Sequence, residues 1–364
     1  MSDSGCGVVE ILVRNLTTLL IAAWTGQVAL SIRHMEAMCL PQIGLSVPAH
    51  TLSPPEAKGR EGLMAQQLTL TQRLALISKW KNPPGPSEQL RLERAERMVK
   101  EAVGRHGPFR GLDITVAAKG SYPNKTNVRG DSDVDIMVKL NDPFHTDGVA
   151  PWWFGEQADE GTWTRTRLRE EVHAALRSHF GWVDPDHNIA FYVPEVANSR
   201  PSIDVVPCFK WVTHDFSAPG GQYVGSAVYG RNGKRVINWP ELQLINGRTK
   251  NTSTNRRYKF VVRVLKNVEN DLAAAGVLKA LPSYFSECLI YNVPNLVLLA
   301  GDFDDAVRAS LHEVYQQLTR TWFGSQRMVE PNGIKKVFGE GQKWNEKDAR
   351  ELIEGAWHYL GYGD

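Results

Sequence analysis

Apolar residues recur with helical spacing over several long segments of the chain. Residues 68–80 have this spacing and end at the turn Asn82-Pro83-Pro84-Gly85. Ser87 and Asn345 are expected to cap the helices that follow them, because a serine or asparagine there can accept a backbone hydrogen bond. The pattern predicts further helices at 88–106, 163–180, 255–274, 284–299, 304–321 and 346–360.

Short apolar segments lie between the early helices and predict β-strands. They cover 114–118, 134–140, 189–193 and 202–209. Residues 229–237 read as a hairpin, because Asn232-Gly233 suits a tight turn. From Pro240 onward the pattern is mainly helical. The expected fold class is therefore α+β, with a lobe built on a small mixed sheet over 71–240 and a helical lobe over 241–364.

Residues 1–70 differ from the rest of the chain. Residues 15–32 carry no charge, but Asn, Thr, Gln and Ser interrupt the apolar run, so it matches a membrane-spanning helix poorly. The preceding flank lacks the positive start of a secretory signal. We interpret 1–70 as an N-terminal extension of uncertain role, with Met64 as an alternative start. A membrane anchor is the less favoured interpretation.

Composition and charge limit the function classes. The chain has 364 residues, 42% of them hydrophobic and 23% charged, and a formal net charge of +2. A protein that coats nucleic acid usually has a stronger basic excess, so we expect small anionic partners, no stable DNA binding and no membrane association. The dispersed cysteines predict reduced thiols and a cytoplasmic location. Tryptophans predicted to lie in cores, rather than to stack on bases, are Trp152, Trp153, Trp163, Trp182 and Trp211.

The candidate chemistry centres on two carboxylates that begin the second predicted strand. Asp133 and Asp135 are two residues apart, so strand alternation places both on one face. Two neighbouring carboxylates repel each other unless a cation lies between them, and Mg²⁺ prefers such oxygen ligands. Gly120 and Ser121 directly follow the first predicted strand. Glycine allows close backbone approach to a phosphate, and the serine can donate hydrogen bonds to it.

Asp204 is a third candidate, because it is a single charge within an apolar strand. Its burial would be costly unless it faces a solvated or metal site. Three carboxylates on neighbouring strands suit two Mg²⁺ ions, with Mn²⁺ as an alternative. One ion would activate the attacking hydroxyl and the other would neutralise the leaving pyrophosphate. Asp204 could instead act as a general base.

Two later segments offer phosphate-binding groups. Lys259, Arg263 and Lys266 fall at i, i+4 and i+7 of one predicted helix and share a face. Such a face is solvated by default, but beside a triphosphate site it could hold phosphates. Ser283 precedes another helix and is either a simple cap or a phosphate contact.

These residues resemble the motif of the polymerase-β-like nucleotidyltransferases. The matching pattern is Gly120-Ser121, Thr126, Val128, Ser132, Asp133 and Asp135. Within that group the chain is similar to the bacterial CD-NTases, relatives of cyclic GMP-AMP synthase and oligoadenylate synthase. The segments 236–240, 246–251, 258–267 and 281–294 narrow the resemblance to clade E, the CdnE group. The resemblance extends from about Leu76 to the C-terminus.

The resemblance implies a cytosolic synthase of anti-phage (CBASS) signalling that makes a cyclic dinucleotide from two nucleoside triphosphates. The product would act on a downstream effector protein. Ser121, Lys266 and Ser283 would contact the donor triphosphate. Asn238 matches a base-contacting position where asparagine accompanies uracil recognition, which favours UTP, with ATP or CTP as possible second substrates. Cyclic di-UMP or cyclic UMP-AMP is the expected product, although Asn238 could instead be a turn residue.

The sequence also allows three other functions. A linear polymerase, such as a poly(A) or CCA-adding enzyme, would need a basic groove that a net charge of +2 does not favour. An antibiotic nucleotidyltransferase would need an acidic acceptor pocket. A catalytically silent nucleotide-binding partner protein would be favoured by the loss of a carboxylate, yet all three are present.

Overall fold

The structure is a computed structural model that describes residues 66–128, 134–146, 162–215, 218–319 and 324–363. Predictions for the N-terminal extension before residue 66, and those for Ser132, Asp133, Trp152 and Trp153, lie outside the described residues. The described residues belong to one compact unit. Among the helices of these residues, none is long and apolar enough to cross a membrane.

A six-stranded mixed sheet forms the first half of the described chain. The strand order is β1-β2-β4-β5-β6, and β3 pairs with β4 on the same side as β5. Strands β2 and β4 are parallel, and the other pairs are antiparallel. The bounds are β1 Ile114–Lys119, β2 Val134–Thr146, β3 Phe191–Val193, β4 Ile203–His214, β5 Gln222–Tyr229 and β6 Arg235–Asn238.

The two faces of this sheet have different environments because side chains alternate along each strand. Ile136 and Val138 of β2 and Val205 of β4 point to the face covered by two long helices and are buried there. Met137 and Val206, one position away, belong to a small apolar cluster on the other face. Carboxylates at Asp135 and Asp204 share the parity of this second face, which places them opposite the main core.

The covering helices are α2 Pro86–Arg105 and α4 Arg165–Phe180. Each buries one apolar stripe, and α4 lies within the helix predicted at 163–180. Thr164 caps α4 by accepting a hydrogen bond from the Arg167 amide. A short helix, α3 Ser121–Asn124, follows β1 directly. The buried stripe of α4 consists of Leu168, Val172, Ala175 and Leu176.

The remaining helices lie outside this sheet, and most of them contribute to a second core. They are α1 Leu70–Trp80, α5 Pro240–Ser253, α6 Arg257–Ala274, α7 Tyr284–Tyr291, α8 Asn295–Leu298, α9 Phe303–Thr319, α10 Gly324–Arg327 and α11 Glu346–Tyr359. Helix α1 contributes Ile77 and Trp80 to this core, although it precedes the sheet in sequence. Asn345 caps α11 with a capping box, as predicted. The expected α+β architecture is confirmed.

Some local predictions are wrong for clear physical reasons. The cap of α2 is Gly85 rather than Ser87, because Pro86 occupies the first helical position, where a missing amide costs nothing. The predicted helix 284–299 is split into α7 and α8 at Pro294, which cannot continue a helix. Trp211 is fully buried as predicted, but Trp182 is 64% exposed.

Candidate active site

Asp135 and Asp204 lie opposite each other in the pairing of β2 with β4. Directly opposed residues of paired strands point to the same face, so the two carboxylates are neighbours on the face of the sheet opposite α2 and α4. The side chain of Asp135 is 50% exposed. Within the described residues, no group of three His, Cys, Asp or Glu side chains forms a metal cluster. Asp133, the third predicted carboxylate, lies outside those residues.

The same cross-strand row contains Lys119, which is paired with Asp135 across β1 and β2. Its ammonium lies 3.6 Å from an Asp135 carboxylate oxygen. Gly120 follows with φ 75° and ψ −142°, a conformation that is essentially restricted to glycine. A Cβ atom on Gly120 would lie 3.2 Å from Asp135 Oδ2. Glycine is therefore needed here both for the backbone conformation and for space beside the carboxylate.

Ser121 begins α3 immediately beyond this glycine, on a tightly closed turn. Its carbonyl accepts hydrogen bonds from the amides of Lys125 and Thr126, the latter at 3.0 Å. Lys125 ends the turn in the left-handed region, with φ 55°. The Ser121 hydroxyl is half-buried and has no hydrogen-bond partner among the described residues. It is available to donate to a ligand phosphate.

Glu287 of α7 fastens this turn to the helical lobe. The carboxylate is only 1% exposed and accepts hydrogen bonds from Asn124 Nδ2, from Thr126 Oγ1 at 2.9 Å and from Gln243 Nε2 at 3.2 Å. Gly247 of α5 makes room for the contact, since a Cβ atom there would lie 2.9 Å from Asn124 Oδ1. Sequence reasoning assigned Glu287 no role, although a single acid within an apolar helix was the same signal that singled out Asp204.

The basic face of α6 is buried, which overturns the expectation of a solvated surface. Lys259 and Arg263 are each 7% exposed, and Lys266 is 1% exposed. Arg263 has a structural role: Nη1 donates to the Lys125 carbonyl at 2.7 Å, and Nε donates to the Lys81 carbonyl at 3.0 Å. Burial lowers the pKa of Arg263 to about 10. Arg263 thus holds the turn after Ser121 and is not free for a phosphate.

Lys266 and Ser283 lie where α6 and α7 approach each other. Leu281, just before α7, donates its amide to Glu269 of α6 at 2.8 Å. Burial raises the pKa of the Cys288 thiol, and the charge of Lys266 opposes that effect. Ser283 occupies the N-cap position of α7 but forms no side-chain cap hydrogen bond. The interpretation of Ser283 as a simple cap is therefore wrong.

Asn238 is the last residue of β6, so it belongs to the sheet and not to a turn. Its Oδ1 accepts a hydrogen bond of 3.4 Å from Lys335 Nζ, and its carbonyl faces β5, where Gly225 leaves room for it. Burial lowers the pKa of Lys335. Sequence reasoning did not single out Lys335, because no local pattern connects it with a residue that lies 97 positions earlier.

The paired carboxylates are suited to hold a divalent cation. Asp135 and Asp204 supply hard oxygen ligands on one face. Nearby, Lys139 is taken up by an ion pair of 2.6 Å with Glu241, so its charge is neutralised by α5. The Lys119 ammonium, in contrast, lies beside Asp135 and reduces the repulsion between the carboxylates.

Comparisons with known proteins decide the family. Residues 245–361 match the cGAS/DncV-like nucleotidyltransferase C-terminal helical domain. The chain is 32% identical over 287 residues to the cyclic dipyrimidine nucleotide synthase CdnE of Legionella pneumophila, covering 78% of this chain and 96% of the relative. The chain belongs to the CD-NTase family. This CD-NTase falls among the CdnE enzymes.

Relatives in this group differ in their products. This CD-NTase is 30% identical over 294 residues to a cyclic dipurine nucleotide synthase of Elizabethkingia meningoseptica, covering 79% of this chain and 97% of the relative. The solved structure of the Rhodothermus marinus CdnE c-UMP-AMP synthase with Apcpp and Upnpp has a TM-score of 0.68 and 26% identity, and the match covers 80% of this chain and 97% of that one.

Proposed function

We propose that this CD-NTase is a divalent-metal-dependent synthase that joins two nucleoside triphosphates into a cyclic dinucleotide, as in bacterial CBASS signalling. The observation that carries the proposal is the pairing of Asp135 with Asp204 beside Gly120 and Ser121. A phosphate-binding turn directly next to two carboxylates suits nucleotidyl transfer. The CdnE relatives make cyclic dinucleotides, which favours cyclisation over linear polymerisation.

Each site residue then has a role that its position supports. Asp135, Asp204 and Asp133 would hold two Mg²⁺ ions, which when bound activate the attacking hydroxyl and neutralise the pyrophosphate. Ser121 donates to the donor triphosphate from the start of α3. Lys266 and Ser283 complete the phosphate contacts from the helical lobe. Arg263 and Glu287 keep the turn 121–126 in place.

We further infer that one substrate is UTP and that the product contains a pyrimidine. Asn238 can present one donor and one acceptor to the edge of uracil. Lys335 donates to Asn238 Oδ1 at 3.4 Å, which orients the amide so that its NH₂ group remains available. The cyclic dipyrimidine product of the Legionella relative agrees with this assignment.

The test is a product analysis of the full chain with four labelled nucleoside triphosphates and Mg²⁺ or Mn²⁺. Products are treated with phosphatase and separated by chromatography. We expect a phosphatase-resistant product that contains UMP. Asp135→Asn should abolish it, whereas Asp142→Asn, an exposed position of the same strand, should not. Phosphatase-sensitive products would indicate a linear polymerase, and an active Asp135→Asn enzyme would remove the metal assignment.

Base choice is tested in the same assay with Asn238→Ser. We expect less uridine incorporation relative to purines, because serine cannot offer both hydrogen bonds. Asn232→Ser, in the turn of the same hairpin, is the matched control and should keep wild-type selectivity. Unchanged selectivity in Asn238→Ser would remove this residue from base recognition.

A further inference from the structure

A basic cavity of about 750 Å³ lies beside the turn that follows Ser121, at the start of α6. No aspartate or glutamate occurs among the described residues that line it. Its lining includes none of the carboxylates or nucleotide contacts assigned above. The residues that matter are four cations, Lys125, Arg248, Arg256 and Lys259, and two amides, Asn251 and Asn255.

Lys259 is the buried cation of this cavity. It is 7% exposed, and within the described chain its ammonium forms neither an ion pair nor a hydrogen bond. Burial lowers its pKa to about 8, an effect that the charge of Glu287 opposes. Glu287 already accepts hydrogen bonds from three other side chains. The side chain of Lys259 is largely removed from water and its ammonium has no direct partner, which costs free energy that an anion in the cavity would offset.

The other cations surround Lys259 and are not neutralised either. Lys125, Arg248 and Arg256 are exposed, and no described residue pairs with their charged groups. A second cavity, of about 520 Å³, shows the contrast. There Arg169 donates to backbone carbonyls, and Arg231 forms a 2.8 Å ion pair with Asp186. These arginines are bonded to other groups of the protein, whereas the charged groups of the cations beside α6 are available to a ligand.

The backbone around the cavity is strained and held in place. Lys125, Asn255 and Arg256 have φ angles of 55°, 48° and 70°, and Asn198 is the one other non-glycine residue with positive φ in the described chain. Such conformations cost on the order of 1–3 kcal/mol each and cluster at binding sites. Asn251 holds the start of α6 in place: its carbonyl accepts from the Arg256 amide at 2.7 Å, and its Oδ1 accepts from the Lys259 amide at 3.1 Å.

We propose that this cavity binds a small oligophosphate anion through Lys259, Lys125, Arg248 and Arg256. Ammonium and guanidinium groups that converge on one cavity suit clustered phosphate oxygens. A small ligand is favoured over a polymer, because these cations surround a cavity and do not extend as a stripe. Arg263 lies on α6 between Lys259 and Lys266, and its guanidinium is bonded to the Lys125 carbonyl. Neither Asp135 nor Asp204 lines the cavity, so it is distinct from the site of the paired carboxylates.

The experiment is calorimetric titration of the full chain with tripolyphosphate in EDTA at pH 7. The double variant Lys259→Met/Arg256→Ala should bind at least about tenfold more weakly, since two charge-assisted contacts are lost. Lys234→Met removes one exposed positive charge elsewhere and should leave binding unchanged. Lys266→Met tests whether the anion occupies the proposed triphosphate site instead, and it should retain binding to the cavity.

The pH dependence provides a second readout. The charges that act on Lys259 are Glu287, Arg248, Arg263 and Lys125, and burial lowers the pKa of the Lys259 ammonium itself to about 8. Binding should therefore weaken between pH 7 and pH 9 in wild type. Tripolyphosphate also gains negative charge over this range, so Lys259→Arg, which stays protonated, is the reference: wild-type binding should fall relative to this variant between pH 7 and pH 9.

Three outcomes would overturn the proposal. The first is that wild type does not bind tripolyphosphate. The second is that Lys266→Met loses all binding while the double variant binds as tightly as wild type. The third is that wild type binds oligonucleotides but not tripolyphosphate. None of these measurements depends on turnover. A failure here is therefore distinguishable from a failure of the proposed synthase activity.

Discussion

Gly120 directly precedes the turn 121–126 and lies beside the Asp135 carboxylate. Its φ of 75° strains any other residue, and an added Cβ atom would lie 3.2 Å from Asp135 Oδ2. We expect Gly120→Ala to lose on the order of 1–3 kcal/mol of folding free energy. We also expect roughly a hundredfold loss of turnover, because a small displacement of Asp135 or Ser121 misaligns the reacting groups. Melting temperature and the rate of product formation check both effects.

Gly111→Ala is the matched control for backbone strain. Gly111 has a φ of 82°, but nothing lies within 4 Å of an added Cβ atom. This variant should lose comparable stability and keep wild-type turnover per folded molecule. Full turnover in Gly120→Ala would show that the close approach to Asp135 is not needed for catalysis.

At the residue scale, local signals in the sequence singled out two carboxylates that the structure brings together. A charge inside an apolar strand singled out Asp204, and the structure pairs it with Asp135. The basic face of α6 was harder to interpret, because residue spacing shows that Lys259 and Arg263 share a face but not what covers it. The groups that cover Arg263 are the backbone carbonyls of Lys81 and Lys125, which have no signature in side-chain patterns.

At the element scale, α7 positions the turn that carries Ser121. Glu287 accepts hydrogen bonds from Asn124 and Thr126 in the second half of that turn. Glu287→Gln replaces one acceptor oxygen with a donor that faces other donors. We expect kcat/KM for the nucleoside triphosphate to fall roughly 10- to 100-fold, from weaker charge-assisted hydrogen bonds. Steady-state kinetics well below the melting temperature measure this effect.

Glu313→Gln is the control for the loss of a helix carboxylate. Glu313 of α9 also accepts from a glutamine, Gln317, at 2.8 Å, but far from the turn in sequence and on another helix. Its kinetics should match wild type. Equal kcat/KM in Glu287→Gln and wild type would exclude a positioning role for Glu287.

The bounds of the helices and strands show which parts of the fold apolar spacing can predict. Stripes such as that of α4 were predictable, because burial of one face imposes helical periodicity. Strands β2 and β4 extend beyond their predicted ends to Thr146 and His214, since pairing continues where the apolar alternation stops. No separate helix was predicted at α5. Few of its residues are buried, so its sequence shows little amphipathic spacing.

At the scale of the whole molecule, helix α1 joins the helical core although the sheet separates the two in sequence. Helical spacing predicted α1, but nothing in its own sequence states which lobe it packs against. The decisive contacts come from the last described residues: the Leu68 amide donates to the Tyr359 carbonyl at 2.9 Å, and Arg73 Nη1 donates to the Leu360 carbonyl at 2.7 Å.

Arg73 also forms a largely buried ion pair with Asp304 at 3.0 Å, with side chains 11% and 16% exposed. Tyr362 donates to the same carboxylate at 2.6 Å, so Arg73→Met would leave Asp304 buried with a weaker set of partners. Removing one partner of a buried pair costs about 3–5 kcal/mol. We expect a loss of that order in the free energy of unfolding, measured by urea unfolding followed by tryptophan fluorescence.

Lys347→Met is the control, because it breaks the exposed pair with Glu351 and should cost below about 1 kcal/mol. Equal effects of the two substitutions would show that Arg73, Asp304 and Tyr362 do not hold α1 in place. If folded Arg73→Met keeps its turnover, these three residues contribute to stability and not to catalysis.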